Sequence, residues 1–362
     1  MSNLEKDPVE VTLADGTLAE APQTPLVSGG PSRASGSGVA SRSGVGAGSG
    51  GAAGSGVAAV EILLPRDVPL GGPRAMPVRR TLPQRRRSLI GAWCFVDHYG
   101  PDDVSVTGGM VVPPHPHTGL QTVSWLFAGE IDHRDSVGSH ATVRPGELNL
   151  MTAGAGIQHS EVSLPQTTSL HGAQLWIALP DSARNGSPFF ERFVPEPFDF
   201  GGAAVHVFLG TLLGHASTAR TFTRILGAQL DVPAGVTVVI PVDAGDEHGV
   251  LVDAGAATVD GHPVARAELA YLATGRDTLT ITAGAKPLRV LLIGGEPLGE
   301  QIVMWWNFIG RSHEEIVQFR SDWQADVIAD GTESGRFGRV RGYDGRALPA
   351  PELPTVRLKP RD

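Results

Sequence analysis

Two short clusters, His115-Pro-His117 and His159-Ser-Glu161, together supply three imidazoles and one carboxylate. That set is complete for one divalent transition metal. In an extended strand the side chains at i and i+2 point to the same face, so each cluster presents both of its groups to one side of a sheet. Two such strands facing one cavity would close a site of three His and one Glu. Nitrogen donors with one oxygen suit Fe(II), Mn(II), Co(II), Ni(II), Cu(II) or Zn(II), whereas an all-oxygen set would point to Mg(II) or Ca(II). The ligands do not choose among the six. A purely structural site is usually closed by four ligands, commonly including Cys. Three His and one Glu without Cys leave positions on a five- or six-coordinate ion for water or substrate.

The second cluster is preceded by Thr152-Ala-Gly154-Ala-Gly156-Ile-Gln-His159, with Gly156 three residues before the His. A close backbone bend feeding a strand needs such glycines. The two regions resemble the paired motifs of cupin barrels, with His115, His117, Gln121 and Gly129 for the first and Pro145, Gly146, Gly156 and His159 for the second. Longer stretches are similar to the pirin family, two-domain members of the cupin superfamily. They are Arg86-Arg87, GAWCFVDHYGP (Gly91 to Pro101), PPHPHTGLQTVSWLFAGEIDHRDS, RPGELNLMTAGAGIQHSE, LHGAQLWIALP (Leu170 to Pro180) and GGEPLGEQIVMWWNFIGRSHEEI (Gly294 to Ile316). The likeness runs from about Glu61 to Asp326.

This resemblance implies an all-β bicupin in which His115, His117, His159 and Glu161 carry one metal, with iron(II) expected. The chain departs from the general cupin pattern at Gln121, where an acid is usual. Because pirin-type sites are completed by the later Glu, Gln121 is expected to hydrogen-bond near the ligands without being one. Trp125 is expected to line the pocket.

Composition and patterning agree with the fold. The 362 residues suffice for two domains with sizeable cores, and Gly and Pro, 47 and 28 residues, fit many short strands joined by turns. Apolar or alternating runs at Thr122–Phe127, Val205–Leu209, Val236–Val242, Thr278–Thr282 and Leu288–Ile293 predict strands. One short C-terminal helix is predicted from Ser312. Ser-His-Glu-Glu places Glu315 three residues after a candidate N-cap, and Ile316, Phe319, Trp323 and Val327 recur on one face to pack across a barrel.

These patterns divide the chain into an extension (1–59), a metal-binding N-terminal cupin domain (60–185), a metal-free C-terminal cupin domain (186–330) and an extended tail lying on a barrel (331–362). In the extension, Gly, Ala and Ser make up 26 of the 32 residues from Ser28 to Ala59, too little apolar surface to order itself. A coil of that length would reach about 30 Å. In the second half no HxH or Gly-x-x-His-x-Glu occurs, and Asp246-Glu247-His248 is read as a solvent-facing turn.

A net charge of −9 disfavours broad binding to a phosphate backbone, so no nucleic acid partner is expected. The local cluster Arg79, Arg80, Arg85, Arg86 and Arg87 is read as solvated edge charges that could also contact a protein partner. The single cysteine, Cys94, excludes an internal disulfide and a Cys-rich zinc site, and between Trp93 and Phe95 it reads as a small buried side chain. No run of 18 apolar residues and no secretory leader pattern occurs. A cytoplasmic location is expected.

The family likeness further implies quercetin 2,3-dioxygenase-type chemistry on a flavonol-like small molecule and O2, with Glu161 as the base, in a monomeric protein. The alternative it implies is a metal- or redox-responsive binding protein that acts as a transcriptional or metabolic co-regulator.

Overall fold

The computed structural model describes residues 2–3, 60–71, 76–329, 331 and 334–362. The expectation of a disordered extension over 1–59 lies outside these residues, save that Ser2–Asn3 pairs antiparallel with Leu70 and Gly71. Two β-barrels follow one another along the chain.

The first is built from β1 (Arg66–Gly71), β2 (Pro77–Leu82), β3 (Trp93–Asp103), β4 (Val111–His117), β5 (Leu120–Ala128), β6 (Ile131–Asp135), β7 (His140–Val143), β8 (Leu148–Thr152), β9 (Ile157–Ser163), β10 (Ser169–Ala178) and β11 (Phe189–Phe193). A large sheet runs in the order β1-β2-β3-β10-β5-β8-β11, and a small sheet runs β4-β9-β6-β7. The second barrel comprises β12 (Phe198–Phe200), β13 (Ala203–Leu209), β14 (Ile225–Val232), β15 (Thr237–Pro241), β16 (Glu247–Ala254), β17 (Ala257–Val259), β18 (His262–Val264), β19 (Leu269–Leu272), β20 (Thr278–Ala283) and β21 (Leu288–Gly295). Its large sheet runs β12-β13-β14-β21-β16-β19 and its small sheet β15-β20-β17-β18. The five predicted strands all form, each within about two residues of its expected ends.

Edge strands cross between the barrels. Glu61–Leu63 pairs with β19 in the second barrel's large sheet, and β11 pairs with β8 in the first.

The period of two decides where each strand residue goes. Along β5, Val123 and Trp125 enter an apolar layer shared with Phe208, Leu209, Ile225, Leu291 and Ile293 of the second barrel. Leu120 and Leu126, on the opposite face, join clusters confined to the first barrel and its C-terminal neighbours. The two large sheets therefore pack against each other, and each keeps its other face for its own barrel. Trp93 fixes this junction, because its indole nitrogen donates to Leu226 O and Gly294 O, both at 3.1 Å.

The predicted helix forms as α1 (His313–Trp323), capped by Ser312, whose side chain accepts from Glu315 N. It continues as a π-helical turn, Gln324–Ala329, which carries the expected Val327. Its buried residues Ile316, Phe319 and Trp323 pack with Trp305, Trp306, Phe308 and Phe337. Phe308 bridges to Thr118, and Ile309 N donates to Thr118 O at 3.1 Å, which ties this cluster to the residue after His117. The C-terminal segment supports the same strands, since Leu348 N donates to Pro114 O at 2.8 Å and Arg336 donates to Ala155 O at 2.9 Å.

The basic cluster is only partly solvated, which corrects its reading as solvated charge at Arg80 and not at Arg85 or Arg86. Arg80 is 2% exposed and holds Asp97 through two bonds of 2.7 and 2.9 Å, while Arg86 and Arg87 pair with Glu61. Arg87 also lies over the Tyr271 ring. As a docking surface for a protein partner the segment offers mainly the exposed Arg85 and Arg86. Cys94 is fully buried, and burial pushes its thiol pKa upward.

Candidate metal centre

The small sheet of the first barrel brings the two histidine clusters together. β9 pairs antiparallel with β4 so that His159 stands directly opposite His115 and Ile157 opposite His117. Beyond His159 the register shifts, and Glu161 meets Val112. Pro113 and Pro114 thus oppose the single Ser160, a bulge at residues that have no N–H to give to the ladder.

The three imidazoles form a triangle with ring centroids 5.1, 4.4 and 5.0 Å apart. Nε2 of His117 lies 3.1 Å from Nε2 of His159. Among the described residues Nε2 of His115 is buried with no hydrogen-bond partner, while its Nδ1 lies 2.9 Å from Pro113 O. A carbonyl only accepts, so the His115 proton sits on Nδ1 and the Nε2 lone pair is left for something else. All three rings are fully buried, and burial holds their pKa values well below the ordinary imidazole range. For His117 and His159 the neighbouring His115 adds to the effect.

Two nitrogens each about 2.1 Å from one ion, at angles between square and tetrahedral, stand roughly 3.0–3.4 Å apart. The 3.1 Å separation of His117 and His159 falls in that window, and His115 belongs to the same potential metal-holding group. Neutral imidazoles with converging lone pairs fit a divalent transition metal. Glu161, 1% exposed, groups with His159 and His133 and not with all three predicted histidines.

Several surrounding residues differ from expectation. Gln121 does not approach the ligands; its amide nitrogen donates to Thr152 Oγ1 at 2.9 Å and Arg220 O at 3.0 Å. It shares its strand face with Val123 and Trp125, the face turned to the second barrel. Ser124 has the opposite parity, and its Oγ lies 2.9 Å from Gln174 Oε1 and 3.5 Å from Glu161 Oε1. Trp125 likewise leaves the site, donating to Gln229 Oε1 at 2.8 Å and stacking on Phe208. The tryptophan beside the histidines is Trp176, edge-on to His117 at 5.1 Å and stacked on Phe95 at 4.0 Å. Trp176 Nε1, Gln174 Nε2 and the Tyr99 hydroxyl are buried in the first barrel without hydrogen-bond partners among the described residues.

His133 went unnoticed in the sequence, although His133-Arg-Asp135 repeats the i, i+2 spacing of both ligand clusters. On β6 it stands opposite Glu161, and Asp135 stands opposite His159.

A second constellation lies at the barrel junction. Asp253 Oδ1 is 2.7 Å from His98 Nε2 and 2.5 Å from His171 Nε2, and Arg289 Nη1 is 3.3 Å from Oδ2. Burial works against the Asp253 carboxylate, but the bonds to His171 and His98 outweigh it and hold its pKa far below the usual range. Asp253, paired with Arg289 in the second barrel, thus meets His98 and His171 of the first, and the three form a further group of metal-compatible side chains.

The reading of Asp246-Glu247-His248 as solvent-facing is corrected. His248 lies on β16, 2% exposed, in the wall of a cavity of about 510 Å³ with Leu212, Arg224, Asp243 and Asp246. Burial, then Arg276, lowers its pKa from 6.5 to about 4. Between these two values the unfolded chain binds a proton that the folded chain refuses, so stability falls as pH drops from 6.5 towards 4. At 1.36 kcal/mol per unit, the loss from this group is of order 2–3 kcal/mol. Urea midpoints at pH 7 and pH 4.5 should differ less in His248→Asn than in the parent; equal differences would discard the assignment.

Comparison with known proteins bears on this geometry. The Pirin family model matches residues 75–177, and the Pirin C-terminal cupin domain model matches residues 227–328. A Pseudomonas aeruginosa protein provisionally named a quercetin 2,3-dioxygenase is 42% identical over 292 residues, covering 80% of this chain and 89% of its own. The chain belongs to the pirin family. A pirin-like protein of Caulobacter vibrioides is 35% identical over 287 residues, covering 76% of this chain and 94% of its own. Among solved pirin-like structures, a quercetin 2,3-dioxygenase of Acinetobacter baumannii superposes with a TM-score of 0.77 at 37% identity, over 83% of this chain and 97% of that one. The two barrels are thus the two cupin domains of a pirin, and a metal-compatible histidine group lies in the N-terminal one.

Proposed function

We propose that this pirin holds one divalent transition metal, iron(II) in the first instance, through His115, His117, His159 and Glu161. We further propose that it opens a flavonol-like ring with O2. The domain reading goes with it, apart from the exchanged edge strands Glu61–Leu63 and Phe189–Phe193: residues 60–185 carry the metal, 186–330 form a metal-free partner barrel and 331–362 brace the site from outside. The observation that carries the metal reading is the convergence of three neutral imidazoles, with the Nε2 atoms of His117 and His159 3.1 Å apart and that of His115 buried and unpartnered. The likeness to proteins named for quercetin 2,3-dioxygenase activity supports the reaction class.

When bound, the metal would supply Lewis acidity towards the flavonol 3-hydroxyl and a redox route to dioxygen. Glu161 would accept the 3-hydroxyl proton, at a distance set by its place beside His159. The unpartnered donors of Trp176, Gln174 and Tyr99 could orient substrate oxygens, and the apolar walls would exclude bulk water. In the balanced reaction both atoms of O2 enter the products, as the heterocycle opens to an ester acid and one ring carbon leaves as carbon monoxide.

The burial of all four ligand groups, at 0–1% exposure, favours a second reading in which the metal is sensed and no flavonol turns over. Anaerobic purification with elemental analysis, then oxygen uptake with quercetin on iron-loaded parent and His117→Ala, decides between them. The proposal expects stoichiometric metal and uptake in the parent, both lost in the variant. Stoichiometric metal with no uptake would transfer the case to the sensing role.

A further inference from the structure

His159 has two ring nitrogens in use. Nε2 faces His117, and Nδ1 lies 3.3 Å from Nδ1 of His133. On the other side of the His133 ring, Nε2 lies 3.3 Å from Asp135 Oδ2. Asp135 is itself fixed, since its Oδ1 accepts from Val137 N at 3.1 Å and Ser139 N at 2.8 Å. His133 and Asp135 are each 3% exposed, and Phe190 stacks on the His133 ring with centroids 4.8 Å apart. These residues leave the imidazole little freedom to turn.

We propose that Asp135 and His133 form a one-way hydrogen-bond chain that sets the tautomer of His159 and so presents its Nε2 lone pair to the metal. The direction follows from the acid. An ionised carboxylate only accepts, so His133 must carry its proton on Nε2 to donate to Oδ2. Nδ1 of His133 is then an acceptor, and among the described residues the donor that meets it is Nδ1–H of His159. With the His159 proton on Nδ1, Nε2 is unprotonated and aimed at His117 and His115. His115 reaches the same state through a carbonyl, Pro113 O. His159 needs two residues because β6, and not a loop carbonyl, lies behind it. His133 is therefore a positioning residue. The inference rests on the metal reading above but not on the dioxygenase reading.

Asp135→Asn is the sharpest test because it preserves shape. The amide oxygen can keep the bonds from Val137 and Ser139, which leaves an NH2 group facing His133. That donor requires a proton-free Nε2 on His133 and reverses both links, placing the His159 proton on the nitrogen the metal needs. Full-length apo protein, labelled with nitrogen-15 at histidine, reports each tautomer by two-bond proton–nitrogen correlation, and anaerobic Co(II) titration reports affinity. The parent should show His159 protonated at Nδ1 and His133 at Nε2, whereas Asp135→Asn should show both reversed and bind Co(II) about 10–100-fold more weakly.

His133→Phe, which keeps the ring and its stacking, should weaken Co(II) by a similar factor and change the visible spectrum of the bound ion. His133→Asn, whose amide oxygen can accept at the Nδ1 position, should recover most of the affinity. X-ray absorption on the Co(II) form should count three imidazoles in parent and His133→Phe alike. A fall in that count would make His133 a ligand and overturn the positioning role. Parent-like affinity in both Asp135→Asn and His133→Phe would overturn it as well. A parent protein that takes up no Co(II) would remove the metal reading itself, and this chain with it; binding without quercetin turnover would leave the chain standing and sink only the dioxygenase reading.

Discussion

Glu161→Gln is expected to lower quercetin turnover by about 10²–10⁴-fold while metal content stays close to that of the parent. Glutamine keeps the size of the side chain and an oxygen that can reach an ion, but it cannot accept the substrate proton. The three imidazoles are unchanged, so most of the metal-binding energy should remain. Elemental analysis beside single-turnover kinetics separates the two effects, since a ligand-only role would lower both together. Turnover at the parental rate in a metal-replete variant would remove Glu161 from the chemistry. Ser124 Oγ lies 3.5 Å from Glu161 Oε1 and 2.9 Å from Gln174 Oε1, which places this serine between the two side chains.

The second large effect is on stability. Asp97→Ala is expected to destabilise the protein by about 3–5 kcal/mol, because it leaves the Arg80 guanidinium buried without its bidentate carboxylate. In a chain of this size that corresponds to a fall in Tm of roughly 4–8 °C. Replacing both residues, as in Arg80→Met with Asp97→Leu, should recover much of the loss, since two buried charges are then removed together. A single variant melting with the parent would show that water or another acid reaches Arg80. The pair also bears on the metal centre. Arg80 lies over Phe95 at 4.3 Å, Phe95 stacks on Trp176, and Trp176 meets His117 edge-on. Metal affinity in Asp97→Ala therefore tests how rigidly that wall holds the ligand.

Much of this protein is legible one strand at a time. His115 and His117, or His159 and Glu161, sit two residues apart, and extended backbone alone puts such pairs on one face. The strand runs and the Ser312 cap are equally local, which explains why the expected β-strands and α1 form close to their predicted ends. What a single strand does not specify is which of its faces turns inward. Gln121 and Ser124 lie on the same strand, yet only Ser124 reaches Glu161. The choice depends on the second barrel, which claims the face carrying Val123 and Trp125. The same uncertainty exchanged Trp125 for Trp176.

Residue types and their period of two thus sufficed to name the four candidate ligands and the all-β architecture. The tertiary structure decided which residues surround them. His133 stands behind His159 because β6 pairs with β9, and Arg80 is buried because the chain's own Asp97 lies opposite it on β3. Asp253 meets His98 and His171 only because two barrels pack face to face. Strand pairing and barrel packing join residues far apart in the chain, and their choice rests on burial summed over whole sheets, which no local spacing encodes.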